Sequence, residues 1–519
     1  MEIKNSIHFN DSFRRNTLLV ILISSVIRLF IAGTTELGND EVYYILYALF
    51  PDLSHFDHPP MVGFVIQLFS LNLTFDSELF IRLGSVVFAA ISTWTIFRIG
   101  EKIANSRVGF FASLLFTASI YCSIIAGTFI LPDAPQMLFW LLAIYYFLGS
   151  VPEETDTKLA VRNIILAGIF TGLGMLSKYT SVYLWVGAGL YILFFNRKWL
   201  LKPSLYISAM ISVALFVPVI LWNIDNQFIS FTFQGERALA STIQPKFLLT
   251  EILGEFAYNN PINFVLIIIT IIQIIKGQKF CKTDSQRYLL LMSIPLIATF
   301  WFVAIFRRTL PHWTGPAFFP LIILTACRFD KQWKSVKIPG AIKAALMLLI
   351  FTVILSWVQI KTGFIPLQKI NIPDPTLDLY GWDQRGEKFR SIRNDAIEKD
   401  LISKTAPIIS RRWFPAANYD YYLAKDAGIS VLGLNSVGQI HKYAWINNIR
   451  GDFYKGMDGW VLDSSRDPQN PVSRYGRYFQ DVYCYDTIMV TRSHQTVDTL
   501  YVYICTDLKK IPQMGQTIK

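Results

Sequence analysis

Charge is scarce in this chain. Only 16% of its 519 residues are Asp, Glu, Lys or Arg, against roughly 25% in an ordinary soluble domain. With so much apolar residue in their place, disorder is excluded and a purely soluble enzyme is argued against. Cysteine is scarce too. Five residues, an odd number, cannot all pair within the chain, so a small disulfide scaffold is excluded. There is no internal repeat and no low-complexity segment. No small-residue cleavage site follows the first apolar run, so that run reads as an uncleaved anchor. What the chain does have is apolar and aromatic surface: 53% hydrophobic residues, with 40 Phe, 24 Tyr and 13 Trp. That composition suits a polytopic membrane protein with aromatic belts.

Eleven apolar stretches read as helical spans, near 17–33, 79–97, 108–131, 134–150, 163–176, 179–195, 204–222, 261–275, 288–306, 312–327 and 338–360. About 20 apolar residues cross a bilayer core. The shorter run Met61–Leu73 suits an interfacial or re-entrant helix. The stretch 163–195 is too long for one crossing and carries Lys178 in its middle. Basic flanks at both ends (Lys158, Arg162; Arg197, Lys198, Lys202) make it two crossings with Lys178 on the outer side. With a cytoplasmic N-terminus, the inner segments hold 19 basic residues and the outer loops six: Arg82, Lys178, Arg237, Lys246, Arg307 and Arg308. This is a positive-inside bias. The net charge of +11 is therefore a topology signal and no argument for nucleic acid. Arg28, near the outer end of the first span, is expected to snorkel outward.

An odd number of spans puts 364–519 outside. There the charges turn dense and mixed, 20 basic and 17 acidic, and the long apolar runs stop. The texts "PIIS", "FPAANYDYYLAKDAG" and "ISVLGL" read as strand, helix, strand, with further β-rich runs at 486–491 and 499–505. The expected organisation is a multi-span α-helical membrane core, 1–363, followed by a small extracytoplasmic α/β domain, 364–519. Cys484 and Cys505 lie in that domain, as a disulfide or as two thiols.

The first outer loop, 34–77, holds Glu36, Asp40, Glu41, Asp52, Asp57 and Asp76 and no Lys or Arg. Acidic residues contribute little to topology, so topology does not explain the excess. Asp40 and Glu41 open an aromatic-rich amphipathic helix at headgroup level, placed to take a proton or hold a cation; helix capping is the plainer reading and is compatible with both. In "HFDHPP", His55, Asp57 and His58, with Asp40 nearby in sequence, offer ligands to a divalent metal; His58 could instead donate to a phosphate. Asp133, in "FILPDAPQ" between two spans, is costly there unless it is solvated or used. Lys178, Arg82, Arg237, Arg307, Arg308 and His58 are the candidates for an anionic lipid headgroup.

The texts "NDEVYYILYALFPDLSHFDHPP", "LPDAPQMLFWLLAIYY", "GLGMLSKYTSVYLW", "PVILWNIDNQFISFTFQGERA", "LPHWTGPAFFPLIIL" and "DLYGWDQ", in that order from 39 to 384, resemble bacterial membrane glycosyltransferases of the GT-C superfamily. The branch they resemble is that of the protein mannosyltransferases and lipid A aminoarabinose transferases. The resemblance implies a polyprenyl-phosphate-linked sugar donor and a reaction on the outer face of the cytoplasmic membrane. It maps the family's acidic pair onto Asp40 and Glu41, a further acidic residue onto Asp133, and a phosphate-binding base onto Lys178. Where aminoarabinose transferases carry Lys before the paired prolines, this chain has His58.

The function expected is inverting transfer of a hexosyl or pentosyl group to a hydroxyl on an envelope lipid, glycan or protein. A base activates the acceptor and cations hold the departing phosphate. Asp40 is the first choice for that base, then Asp133, with Glu41 orienting sugar or acceptor. The rival reading is a polytopic transporter or lipid flippase, which also suits many spans and intramembrane charges. No cofactor is fixed by the sequence, and a divalent metal stays open.

Overall fold

A computed structural model describes residues 2–155, 157–238, 243–335, 337–367 and 372–512, with side chains left out for 2–10 and 236–238. In chain order its helices are α1 (Glu2–Thr34), α2 (Asn39–Leu49), α3 (Met61–Phe69), α4 (Glu78–Ile103), α5 (Ser106–Ala118), α6 (Asp133–Leu148), α7 (Lys158–Ser177), α8 (Tyr183–Phe195) and α9 (Pro203–Asp225). There follow α10 (Ile229–Ala238), α11 (Pro245–Tyr258), α12 (Pro261–Ile275), α13 (Thr283–Leu291), α14 (Ile294–Ala304), α15 (Phe318–Gln332), α16 (Gly340–Thr362), α17 (Trp382–Glu398) and α18 (Trp413–Tyr419). The strands are β1 (Ile408–Ser410), β2 (Val431–Gly433), β3 (Gly459–Ser464), β4 (Phe479–Arg492) and β5 (Gln495–Leu508).

The chain divides into two compact units: 1–33 with 51–353, and 34–50 with 354–519. The sequence suggests one cut near residue 363, whereas the contacts give the segment 34–50 to the C-terminal unit.

Among its described residues the first unit has helices and turns but no strand. Among the described residues, six helical stretches are long and apolar enough to cross a membrane: Asp11–Thr34, Glu78–Ile103, Lys158–Ser177, Pro203–Asp225, Thr283–Ala304 and Gly340–Thr362. A seventh is the pair α11 and α12 taken as one broken span, bent by 108°. The other expected spans rest on shorter helices, such as the 13 residues of α5 and of α8. Three features make the bend. Asn260 takes a positive φ of 69°, Pro261 starts α12, and the Asn260 amide donates to Ala118 O and Ala345 O while its Oδ1 accepts from Ile262 N. The break inside 163–195 falls at Lys178, whose extended backbone (φ −156°, ψ 134°) stops α7 before a 3₁₀ turn leads into α8. The core is aliphatic and aromatic, built around Phe111, Trp140, Ile144, Tyr288 and Phe319.

Arg28 does not snorkel. It is buried at 2% exposure and turns inward, donating to Ser24 Oγ at 3.0 Å and Ser123 Oγ at 3.2 Å. A π-helical turn at Tyr121–Ile125 brings Ser123 to it. A satisfied guanidinium inside the bundle avoids the cost of an exposed one in lipid.

The second unit carries a five-stranded sheet of order β2-β1-β3-β5-β4. Strands β1, β2 and β3 run parallel, and β5 joins β3 and β4 antiparallel. Parallel strands need helical crossovers, and α18 with the turns after it supplies the one between β1 and β2. Cys484 and Cys505 are free thiols. Cys484 faces Tyr503 and Cys505 faces Val482, so the two cysteines stand diagonally across the ladder, a separation of roughly 7–8 Å that no disulfide spans.

Helix α2 is part of this unit because its apolar face has partners there. Val42 to Ala48 are all buried. The Tyr43 ring lies 5.0 Å from that of Trp413 and 5.9 Å from that of His441. The ammonium of Lys442 lies 5.8 Å from the Tyr47 ring, and Leu37 N donates to Tyr422 Oη at 2.6 Å.

Candidate active site

Two sets of chemically able side chains stand out, one in each unit. In the first unit, Asp133 is the first residue of α6 and Lys178 is the cap of α7. Lys178 Nζ donates to both carboxylate oxygens of Asp133, each at 2.9 Å. The pair is closed off, with side-chain exposures of 6% for Lys178 and 3% for Asp133. Tyr121 Oη adds a third hydrogen bond, to Asp133 Oδ1 at 3.0 Å. His312 lies within electrostatic reach of Asp133, Lys178 and His58. An ammonium has three N–H donors, and Asp133 occupies two of those on Lys178.

Local sequence explains the placement. The extended backbone at Lys178 turns its side chain off the helical path. In "LPHWTGPAFF" a 3₁₀ turn runs from Pro311 to Ala317. A Cβ at Gly315 would lie 2.3 Å from the Tyr121 ring, so glycine there makes room for the phenol that reaches Asp133.

In the second unit, Gly38 caps α2 and its N–H donates to Glu41 Oε2 at 2.8 Å. Glu41 is thus a buried capping residue, the plainer of its two readings. Asp40, in the same first turn, is exposed. Glu36, two residues before the cap, accepts from the backbone N–H of Trp382 at 2.8 Å. Burial pushes the Glu36 carboxyl up to about 7, against the opposing pull of that hydrogen bond and of one from Gly381. Gly381 itself sits at φ 84°, in the left-handed region that favours glycine, and its missing Cβ leaves room for Val490.

The remaining candidates are placed as follows. Arg82 is fully buried, donates to Ala32 O at 3.1 Å and lies 5.4 Å from the Phe129 ring. Arg307 is half-buried and Arg308 exposed. The side chain of Arg237 lies outside the described residues. His55 and Asp57 are buried, and their carbonyls accept from Ser230 and Gln234. No group of three or more His, Cys, Asp or Glu side chains converges in metal-binding geometry among the described residues. The divalent metal expected at Asp40, His55, Asp57 and His58 thus finds no support there.

Sequence reasoning missed Tyr121, His312, and the pair Glu251 and Glu255. These two glutamates are fully buried on α11. Glu255 accepts from Trp301 Nε1 at 2.8 Å and Thr314 Oγ1 at 2.7 Å, and Glu251 from Thr309 Oγ1 at 2.6 Å. Their i, i+4 spacing puts them on one helix face; two carboxylates on a single face of a largely apolar helix were the available signal.

Residues 57–222 match the dolichyl-phosphate-mannose-protein mannosyltransferase family. The chain is 19% identical over 327 residues to the lipid A galacturonosyltransferase RgtD of Rhizobium johnstonii, covering 62% of this chain and 66% of that protein. It is 26% identical over 161 residues to the undecaprenyl phosphate-alpha-4-amino-4-deoxy-L-arabinose arabinosyl transferase of Wigglesworthia glossinidia brevipalpis, covering 29% and 28%. The chain thus spans less than two thirds of the length of these relatives. Its fold matches that of ArnT from Cupriavidus metallidurans bound to undecaprenyl phosphate, with a TM-score of 0.61 over 96% of this chain and 99% of that one, at 12% identity. The apo form of the same protein matches with a TM-score of 0.59.

Proposed function

We propose that this chain, a multi-pass membrane protein of the GT-C superfamily in the mannosyltransferase and aminoarabinose transferase branch, moves a sugar from a polyprenyl-phosphate donor to a hydroxyl of an envelope acceptor. The observation that carries this reading is the buried Lys178–Asp133 pair within a fold that matches, nearly end to end, a protein solved with undecaprenyl phosphate.

In the reaction, an acceptor hydroxyl attacks the anomeric carbon. The bond from that carbon to the phosphate oxygen breaks with inversion, the lipid phosphate leaves with the electron pair, and the hydroxyl proton passes to a carboxylate. Asp40, an exposed residue in the opening turn of α2, is the base, and Asp133, buried and ion-paired with Lys178, is not. Lys178 offers its third N–H to the leaving phosphate, and a charge-assisted bond to an oxyanion is strong in a dry site. Asp133 and Tyr121 are positioning residues that aim the ammonium. Glu41 holds the turn that presents Asp40. His58, Arg82, Arg307 and Arg308 serve as further contacts for the donor headgroup. The lipid tail lies against the apolar helices, at about 0.8 kcal/mol per buried CH₂, so the donor arrives at high effective concentration.

The topology proposed is eleven crossings with a cytoplasmic N-terminus in a bacterial inner membrane. The core is 1–363 and the α/β domain, 364–519, is extracytoplasmic, which sets the chemistry on the outer face. The sugar is a hexosyl or pentosyl group. Among lipid, glycan and protein acceptors, the relative named a lipid A galacturonosyltransferase favours a lipid-borne hydroxyl. Mass spectrometry of envelope lipids and glycans from a deletion strain tests the reading: a sugar missing from one envelope component supports it, and an unchanged envelope overturns it.

A further inference from the structure

The α/β unit contains a cavity of about 370 Å³, within the size range of small-molecule sites. Its position follows from the strand order. From β1 the chain crosses to β2 on one side and then returns to β3 on the other, giving the parallel order β2-β1-β3. In open α/β sheets such a switch point leaves a crevice outside the carboxyl ends of the diverging strands, and ligands bind there. The cavity is lined by Ser410, the last residue of β1, and Ser464, the last residue of β3.

Its chemistry is uneven in an informative way. Four arginines line it: Arg385, Arg411, Arg412 and Arg466. Three are committed. Arg385 bonds Asp498 at 2.8 Å, and Ser464 and Ser465 complete that carboxylate. Arg412 pairs with Asp467, and Arg466 with Asp378 at 3.4 Å. Among the described residues Arg411 has no carboxylate partner, and its Nε is buried without a hydrogen bond. A buried donor left unsatisfied is costly, and a ligand oxygen at that position would satisfy it. Aromatic surface from Phe414 and Tyr475 also faces the cavity, next to carboxylates that accept hydrogen bonds and guanidiniums that donate them. Apolar ring faces beside dense donor and acceptor groups match a sugar, whose C–H faces are apolar and whose edge is hydroxyls.

We propose that this crevice binds a saccharide unit carrying one anionic group, a carboxylate or a phosphate, which pairs with Arg411. The site lies wholly within the α/β unit, and its test reads binding alone, so it stands or falls independently of the transfer reaction.

The test uses the full chain in detergent micelles with galacturonate, galactose 6-phosphate and neutral galactose as probes, followed by titration calorimetry and saturation-transfer NMR. At least one anionic sugar is expected to bind tenfold or more tighter than galactose. Binding by galacturonate alone or by the phosphate alone identifies the anion. Arg411→Gln should abolish the preference at unchanged melting temperature, and Arg411→Lys should retain part of it. Equal binding of galactose and the anionic sugars overturns the proposal, as does failure of both anionic probes to bind the folded wild type. A preference that survives Arg411→Gln overturns it as well.

Discussion

The backbone N–H of Trp382 donates to the carboxylate of Glu36 at 2.8 Å, across 346 positions of sequence. Burial raises that carboxyl from 4.5 to about 7. The folded state therefore holds a proton that the unfolded state has released between pH about 4.5 and 7. This contribution to stability is present in full below about 4.5 and is lost as pH rises towards 7, at up to about 1.4 kcal/mol per pH unit. Glu36→Gln keeps an acceptor oxygen and removes the titration. Thermal unfolding followed from pH 5 to 8 should show the wild type losing stability relative to this variant as pH rises. A constant difference between the two would contradict the assignment.

Asp40 and Glu41 are adjacent but have different tasks, and substitution should separate them. Asp40→Asn should lower transfer by at least roughly 10²-fold, the usual worth of a general base, with the melting temperature unchanged. Glu41→Ala removes the acceptor for Gly38 N–H and should cost about 1 kcal/mol of stability. Wild-type turnover by purified Asp40→Asn would move the base elsewhere.

For the buried pair, Asp133→Asn leaves an ammonium without its counter-charge and Lys178→Met leaves a carboxylate without its own. Each single change should cost about 3–5 kcal/mol of stability, and the double variant should cost less than the sum. Lys178→Met should also weaken donor binding, and Asp133→Asn/Lys178→Met should share that loss. Strict additivity of the stability losses would show that the two charges are not coupled.

Gly315→Ala is a small change with a specific target. Its new Cβ would collide with the Tyr121 ring and push the phenol away from Asp133. Transfer should fall, with a loss comparable to that of Tyr121→Phe, and the two changes together should lose little more than either alone. Full activity in Gly315→Ala would show that Tyr121 has no positioning role.

Much of this was legible in the sequence where one residue type is costly in its setting. A lysine amid apolar residues 163–195 marked a helix break, and an aspartate between spans marked a group that must be solvated or used; each was identified alone, and the fold supplied the pairing. Arg28 was misread because snorkelling assumes a lipid-facing helix, and the π-helical turn that offers Ser123 has no sequence signature. The His55, Asp57 and His58 set stayed ambiguous in the sequence because loop spacing says nothing about where side chains point. Tyr121 was invisible because a tyrosine in an aromatic-rich chain is unremarkable until its partner is known, whereas Glu255 could have been found from its i, i+4 spacing with Glu251 on one helix face.

Helix α2 carries the acidic pair, yet its tyrosines find their cover in residues some 370 to 400 positions later, Trp413 and His441 among them. A chain cut after α16 would keep the membrane helices and strip that helix of its packing. The acidic loop would then present a row of bare aromatic rings to water or lipid. The C-terminal segment 354–519 is accordingly no detachable accessory: grafting it between relatives would require exchanging residues 34–50 with it.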